Sequence, residues 1–354
     1  MRQSNHKKTM RLALEASGGG AMGSFTWGVL TRLLEEKRLI FPVGSGTSAG
    51  AMNLRPLAKA FNKHGWTDEA RMLSKYGLDH LWNHIMDGHQ SGTYARTMGH
   101  MADINKTLFG ESPFVQMMHD IGEQIMSPII EETCYHALSD YLRQSNHAPY
   151  EMKSARHMTL YINASDQYGR EHIYTGDQLT RDKFLASAAL PGMVKPVTDG
   201  DLILVDGAEQ SNPNMDVTEQ HRDEIDAHVL ITPNHPQGLI QKRRQSDIPR
   251  HELKDTNNLV IHHVFEQAAL RCYDFETGKT DKPTLIIYPE DSPLVSQKQK
   301  LSTDPIFIHD QKQQGYKIAD HVISKSLSGK TPIPNLRADD IQIRANKYRT
   351  LALV

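Results

Sequence analysis

The stretch Leu39-Ile40-Phe41-Pro42-Val43-Gly44-Ser45-Gly46-Thr47-Ser48-Ala49-Gly50-Ala51-Met52-Asn53-Leu54 joins a short apolar run to a helix-like segment through a turn rich in glycine and serine. The run reads as a short buried strand broken by Pro42. The segment after the turn has helical character to about Lys63, with Pro56 as a kink point near its start. Between them, Gly46-Thr47-Ser48-Ala49-Gly50 has the form G-x-S-x-G. Nucleophilic serines need this layout. The hydroxyl must project from a tight strand-to-helix turn, and flanking glycines remove side chains that would block the turn and the incoming ester. The amide of Ala49 would then face the developing oxyanion, and the helix behind Ser48 would point its positive end at it. The competing reading is a chance match in a Gly/Ser-rich turn.

Upstream, Leu12–Ala16 reads as a short buried strand. It is followed by Ser17, by Gly18-Gly19-Gly20-Ala21-Met22-Gly23, and by Phe25, Trp27, Val29, Leu30 and Leu33 at roughly helical spacing. The glycine run has three readings. It satisfies the G-x-G-x-x-G dinucleotide fingerprint, it suits an oxyanion loop of converging amides, and it could be only a tight turn. The dinucleotide reading needs an acid at the end of the next strand, and that strand instead runs into the serine turn. No G-K-[ST] follows the glycine run, which excludes a P-loop there. The oxyanion loop is the reading adopted.

Downstream, strand character returns at Met158–Ala164, Glu171–Tyr174, Leu202–Val205, His228–Ile231 and Thr284–Tyr288. Helix-like pieces lie between, including Arg181–Ala189 and Asn257–Arg271, and residues 66–150 read as mostly helical. Alternating strands and helices predict an α/β sheet covered on both faces. The strand Leu202-Ile203-Leu204-Val205 delivers Asp206 at its end, followed by Gly207-Ala208. Strand ends are where α/β sheets place reacting groups. The alternative is a turn aspartate, as Asp199-Gly200 is read.

Composition narrows the class. The chain has 354 residues, 38% hydrophobic and 23% charged, which permits a real core and a polar surface. A net charge of −2 gives no global argument for nucleic acid or for an anionic membrane surface. Cys134 and Cys272 form no C-x-x-C pair and read as reduced thiols. No apolar run approaches the ~18 residues of a spanning helix. The expectation is a cytoplasmic protein, with export by a route that reads no Sec signal left open. His262-His263 are adjacent and ill placed to chelate together, so no metal and no cofactor are expected. Residues 236–256, with Lys242-Arg243-Arg244, read as a surface loop.

Together, Gly18–Gly23, Gly46–Gly50 and Asp206-Gly207-Ala208 occur in the order that marks the patatin-like phospholipase family, which this chain resembles. Phe184-Leu185-Ala186-Ser187-Ala188-Ala189-Leu190-Pro191 is also similar to that family's A-S-x-A-x-P segment. The resemblance implies a three-layer α/β/α sandwich, a modified α/β-hydrolase architecture. It implies a Ser48–Asp206 dyad without histidine, and an oxyanion site made of Gly18, Gly19, Gly20 and Ala49. The activity implied is acyl-ester hydrolysis of lipids, of the phospholipase A or lysophospholipase type, through an acyl-enzyme. A lipid substrate implies transient peripheral membrane contact. The expected organisation is a flexible arm over 1–10, a hydrolase domain over 11–328 and a tail over 329–354. Two departures stand out: Met22 occupies the place of the family's basic residue, and Ser17 that of its leading aspartate. Met22 cannot supply positive charge to a phosphate. A soluble carboxylesterase on the same scaffold, or a non-catalytic binding protein, are the competing functions.

Overall fold

A computed structural model describes residues 9–87, 138–143, 157–191, 194–234, 256–289 and 304–327. The first eight residues of the arm, Cys134, the basic loop, the tail and much of the region read as helical over 66–150 lie outside that set. Strands β1 (Met10–Ala16), β2 (Leu39–Gly46), β3 (Thr159–Asp166), β4 (Glu171–Thr175), β5 (Val197–Asp199), β6 (Leu202–Asp206), β7 (Ala227–Ile231) and β8 (Thr284–Ile287) make one eight-stranded sheet. Its order is β5-β6-β3-β2-β1-β7-β8, with β4 paired to β3. Neighbours from β3 through β2, β1 and β7 to β8 run parallel. The β3–β4, β3–β6 and β5–β6 pairs are antiparallel.

The parallel strands are apolar on both faces because helices cover both. Successive residues of β1 alternate between the two sides. Leu12, Leu14 and Ala16 join the larger core with α1 (Ser24–Glu35), α2 (Ala49–His64), α3 (Asp68–Asp87) and α4 (Arg181–Ser187). On the opposite face Ala13 and Val43 meet Ile225, beyond the short α5 (Asp216–Glu219). There too, Leu230 and Ile286 pack on Val264, Phe265 and Ala268 of α6 (Thr256–Glu276). The result is the expected three-layer α/β/α arrangement.

The structure departs from the sequence reading in two places. Pro42 does not end β2. The register with β1 steps from Arg11–Ile40 to Ala13–Val43, so β2 carries one extra residue there. A proline at such a bulge removes no ladder hydrogen bond. The last helix, α7 (Pro305–Leu327), was not anticipated. A methyl group on Gly28 of α1 would lie 1.9 Å from the Lys312 carbonyl oxygen, and one on Gly315 would lie 2.1 Å from that of Phe25. The two helices therefore cross backbone to backbone at glycines, which carry no side chain for a hydrophobic pattern to register. Cys272 is a buried free thiol whose pKa burial pushes up to about 11.

Glu15, fully buried on β1, anchors the second face. Its Oε1 accepts from His228 Nδ1 (3.1 Å), from Arg271 (2.6 Å) and from the Thr218 hydroxyl. Arg271 also donates to the Met215 carbonyl (2.6 Å), so one carboxylate ties α5 and α6 to the sheet. Burial alone would raise the Glu15 pKa. The Arg271 charge and the His228 and Thr218 bonds outweigh burial and hold it at about 2 instead of the ordinary 4.5. A depressed carboxylate pKa contributes stability that is present above pH 4.5 and is lost as pH falls towards 2. Glu15→Gln should therefore destabilise the protein at pH 7 by about 3 kcal/mol, because Arg271 loses its buried carboxylate and keeps Glu219 at 3.4 Å. It should also flatten the pH dependence of stability between 4.5 and 2. Denaturant melts of both proteins across that window check this, and an unchanged slope would count against it.

Candidate active site

Pairing along β3 brings the two ends of the site together. β2 runs parallel to β3 as far as Gly46, which pairs with Ile162. β6 arrives antiparallel and ends at Asp206, which pairs with Ala164. The other edge of β3 is taken by β4, with Ile162 opposite Tyr174 and Ser165 opposite Glu171. β2 and β6 therefore share one edge of β3 and meet end to end. The turn after β2 carries Ser48, and the end of β6 carries Asp206.

Ser48 has φ 54° and ψ −124°, and it is the one non-glycine residue with positive φ among the described residues. Such a backbone costs of order 1–3 kcal/mol and points to function. α2 begins at Ala49, so the positive end of a 16-residue helix faces the serine. The glycines of G-x-S-x-G allow close backbone contact. A methyl group on Gly50 would lie 2.0 Å from the Ala16 carbonyl oxygen, and one on Gly46 2.7 Å from the Ala51 amide nitrogen.

The glycine run wraps this turn. A methyl group on Gly18 would lie 2.7 Å from Ser48 Cβ, and one on Gly23 2.6 Å from Ala49 Cβ. Asn53 of α2 donates to the Gly23 carbonyl (3.0 Å) and fixes the far end of the run. Of the four amides expected to face an oxyanion, that of Gly18 donates to Asn212 Oδ1 at 2.5 Å and is committed there. Among the described residues no acceptor stands opposite the amides of Gly19, Gly20 or Ala49. Gly19 and Ala49 are half-buried and Gly20 is exposed. Met22 is buried in the core, and the Ser17 hydroxyl donates to the Asn212 carbonyl (2.9 Å).

Asp206 is 1% exposed, and its Oδ1 accepts the Ala208 amide (2.9 Å). The last residue of α4 and the segment after it brace both sides of the site. The Ser187 hydroxyl accepts the Ser48 amide (3.1 Å), and the Ala189 carbonyl accepts the Asp206 amide (3.0 Å). That gives the A-S-x-A segment a physical role that its sequence alone did not disclose. Two other braces, Asn163 and Asn212, were missed. A signal existed for the first, because an asparagine inside the apolar strand Leu160–Ala164 must find buried partners. Three of the described histidines have other occupations. His221 meets the Tyr161 hydroxyl (2.9 Å), His228 meets Glu15, and His309 stands against Trp27. Among the described residues no group of three metal-ligating side chains exists, and no helix is long and apolar enough to cross a membrane.

A serine at a strained strand-to-helix turn on a helix-covered mixed sheet is an architecture of the α/β-hydrolase kind. The family model for patatin-like phospholipases matches residues 16–218, so the chain belongs to that family of lipid acyl hydrolases. Among solved structures it is similar to VipD from Legionella pneumophila. The identity there is 14% and the TM-score 0.40, over 90% of this chain and 67% of that one. It is also similar to a chain of the ExoU–SpcU heterodimer from the type III secretion system of Pseudomonas aeruginosa. Here identity is 15% and the TM-score 0.31, over 97% of this chain and 60% of that one. No curated protein matches the chain.

Proposed function

We propose that this protein hydrolyses acyl esters of phospholipids or lysophospholipids through an acyl-enzyme on Ser48, with Asp206 as the base. The observation that carries the reading is the strained backbone of Ser48, with Gly18 against its side chain and, among the described residues, no acceptor opposite the amides of Gly19, Gly20 and Ala49. In the first half-reaction Asp206 takes the hydroxyl proton as Ser48 Oγ bonds to the acyl carbon. The amides of Gly19, Gly20 and Ala49 receive the oxyanion; one such donor is typically worth about 10²–10³ in rate. Collapse breaks the ester bond, and the leaving alcohol takes the proton from Asp206. Water then gives its proton to Asp206 and attacks the acyl carbon, and the proton returns to Ser48 Oγ as the fatty acid leaves. Gly18 serves by its lack of a side chain beside Ser48. Access to a lipid substrate implies transient contact with the membrane surface.

The buried Met22, standing where the family carries a cation, favours a second reading, a carboxylesterase acting on soluble esters. One experiment separates the two. The protein is treated with a fluorophosphonate and the modified peptide is mapped by mass spectrometry. Turnover is then compared on phosphatidylcholine vesicles and on a soluble short-chain ester. The expected result is a single adduct on Ser48 and fatty acid released from the vesicles. Hydrolysis of the soluble ester alone would favour the second reading, and no adduct on Ser48 would remove both.

A further inference from the structure

We propose that Asn163 is a positioning residue that holds nucleophile and base in register through one planar amide. The inference rests on the Ser48–Asp206 reading above. Asn163 lies on β3 and is 2% exposed. Its Oδ1 accepts from the Thr47 hydroxyl at 2.5 Å, so it grips the residue immediately before Ser48. Its Nδ2 lies 3.1 Å from the carbonyl oxygen of Gly207, the residue immediately after Asp206. The same nitrogen reaches the Ser211 carbonyl (3.0 Å), the Ser211 hydroxyl (3.0 Å) and Glu171 Oε1 (2.9 Å). A primary amide has only two N–H hydrogens for these acceptors, so they are shared.

The amide is itself held. Glu171 accepts from the Ser211 hydroxyl and from Asn214 Nδ2 (2.9 Å), which keeps the loop after Asp206 closed over Asn163. Thr47 Oγ1 also lies 3.1 Å from the Ser211 carbonyl oxygen. The glycine after the aspartate follows from this contact. A methyl group on Gly207 would lie 2.6 Å from both Cγ and Nδ2 of Asn163, so any side chain there would displace the bridge.

β2 and β6 share no ladder with each other; they meet only along β3. Their separation across the site therefore depends on groups that touch both ends. Asn163 is such a group, and its carboxamide is rigid. A misplacement of about 1 Å in a reacting pair can cost about 10²-fold in rate. A purely structural asparagine would lower stability when removed and leave turnover per folded molecule unchanged.

The test uses Asn163→Ala, Thr47→Val, Thr47→Ser and the double variant Thr47→Val/Asn163→Ala in the full chain. Ester turnover and the fluorophosphonate labelling rate are measured at a temperature where melts show each protein folded. Asn163→Ala should lower kcat about 10- to 100-fold with KM within about twofold, and should slow labelling by the same factor. Thr47→Val should lower kcat about tenfold. Thr47→Ser keeps the donor and should stay near wild type. The double variant should be no slower than Asn163→Ala alone, because both changes break one bridge. A folded Asn163→Ala with unchanged kcat, a loss confined to KM, or losses that multiply in the double variant would each overturn the proposal. If Asn163→Ala does not fold, equal rates for Thr47→Val and Thr47→Ser overturn it. Retained activity in Ser48→Ala would instead overturn the dyad reading on which it rests.

Discussion

Ser48→Ala should abolish both ester turnover and fluorophosphonate labelling while the protein stays folded. Removing a serine nucleophile typically lowers kcat by about 10⁴–10⁶, and alanine has no oxygen to form the acyl bond. The Ser48 amide and its bond to Ser187 are untouched by the change. A companion variant separates nucleophile from scaffold. Ser48→Gly is equally without an oxygen, yet it suits φ 54° far better. Relief of backbone strain, offset by the greater freedom of glycine in the unfolded chain, should leave Ser48→Gly more stable than Ser48→Ala by about 1 kcal/mol. Kinetics and thermal melts of the pair read both effects. Residual turnover in pure Ser48→Ala, beyond that of a mock preparation, would refute the nucleophile.

Asp206→Asn should lower turnover by about 10⁴ and slow labelling in parallel. The substitution keeps the shape and still offers Oδ1 to the Ala208 amide, but the carboxamide cannot take the Ser48 proton. The loss should persist across pH, since no titration restores a base. His221→Ala and His228→Ala are the controls. The first breaks contacts to Tyr161 and Glu224, and the second the contact to Glu15, so neither should approach the loss at Asp206. A histidine variant that stays folded and matches the loss at Asp206 would bring back a conventional triad.

Where the sequence could be read, a short-range pattern carried the information. β1 and β7 are mainly apolar, β3 has an apolar run at Leu160-Tyr161-Ile162, and the turn at 46–50 stands out by its glycines alone. β5 is three residues long with two of them exposed, and α5 has four residues, too few to show a period. Pro42 misled because the bulge that accommodates it belongs to the pairing of two strands and not to either one. α7 hid because its main contact is made by Gly28 and Gly315, residues that a hydrophobic pattern does not register. At the site, Ser48 and Asp206 were legible as candidates because their neighbours follow a motif. The commitment of the Gly18 amide to Asn212 was not legible, since Gly18 and Asn212 are distant in sequence. Asn163, Ser187 and Asn212 are ordinary polar residues until the fold gathers them around the turn.

The end-to-end meeting of β2 and β6 on a single edge of β3 also sets when competence can arise during synthesis. A chain emerging from the ribosome presents the serine turn early, but the carboxylate proposed as its partner only after Asp206 has emerged and zipped onto Ala164. A zip one residue out of step would turn that carboxylate to the far face of the sheet. On the proposed dyad, a chain that ends before Asp206 or pairs β6 out of step would lack its base, so ester hydrolysis would wait for β6 to settle on β3.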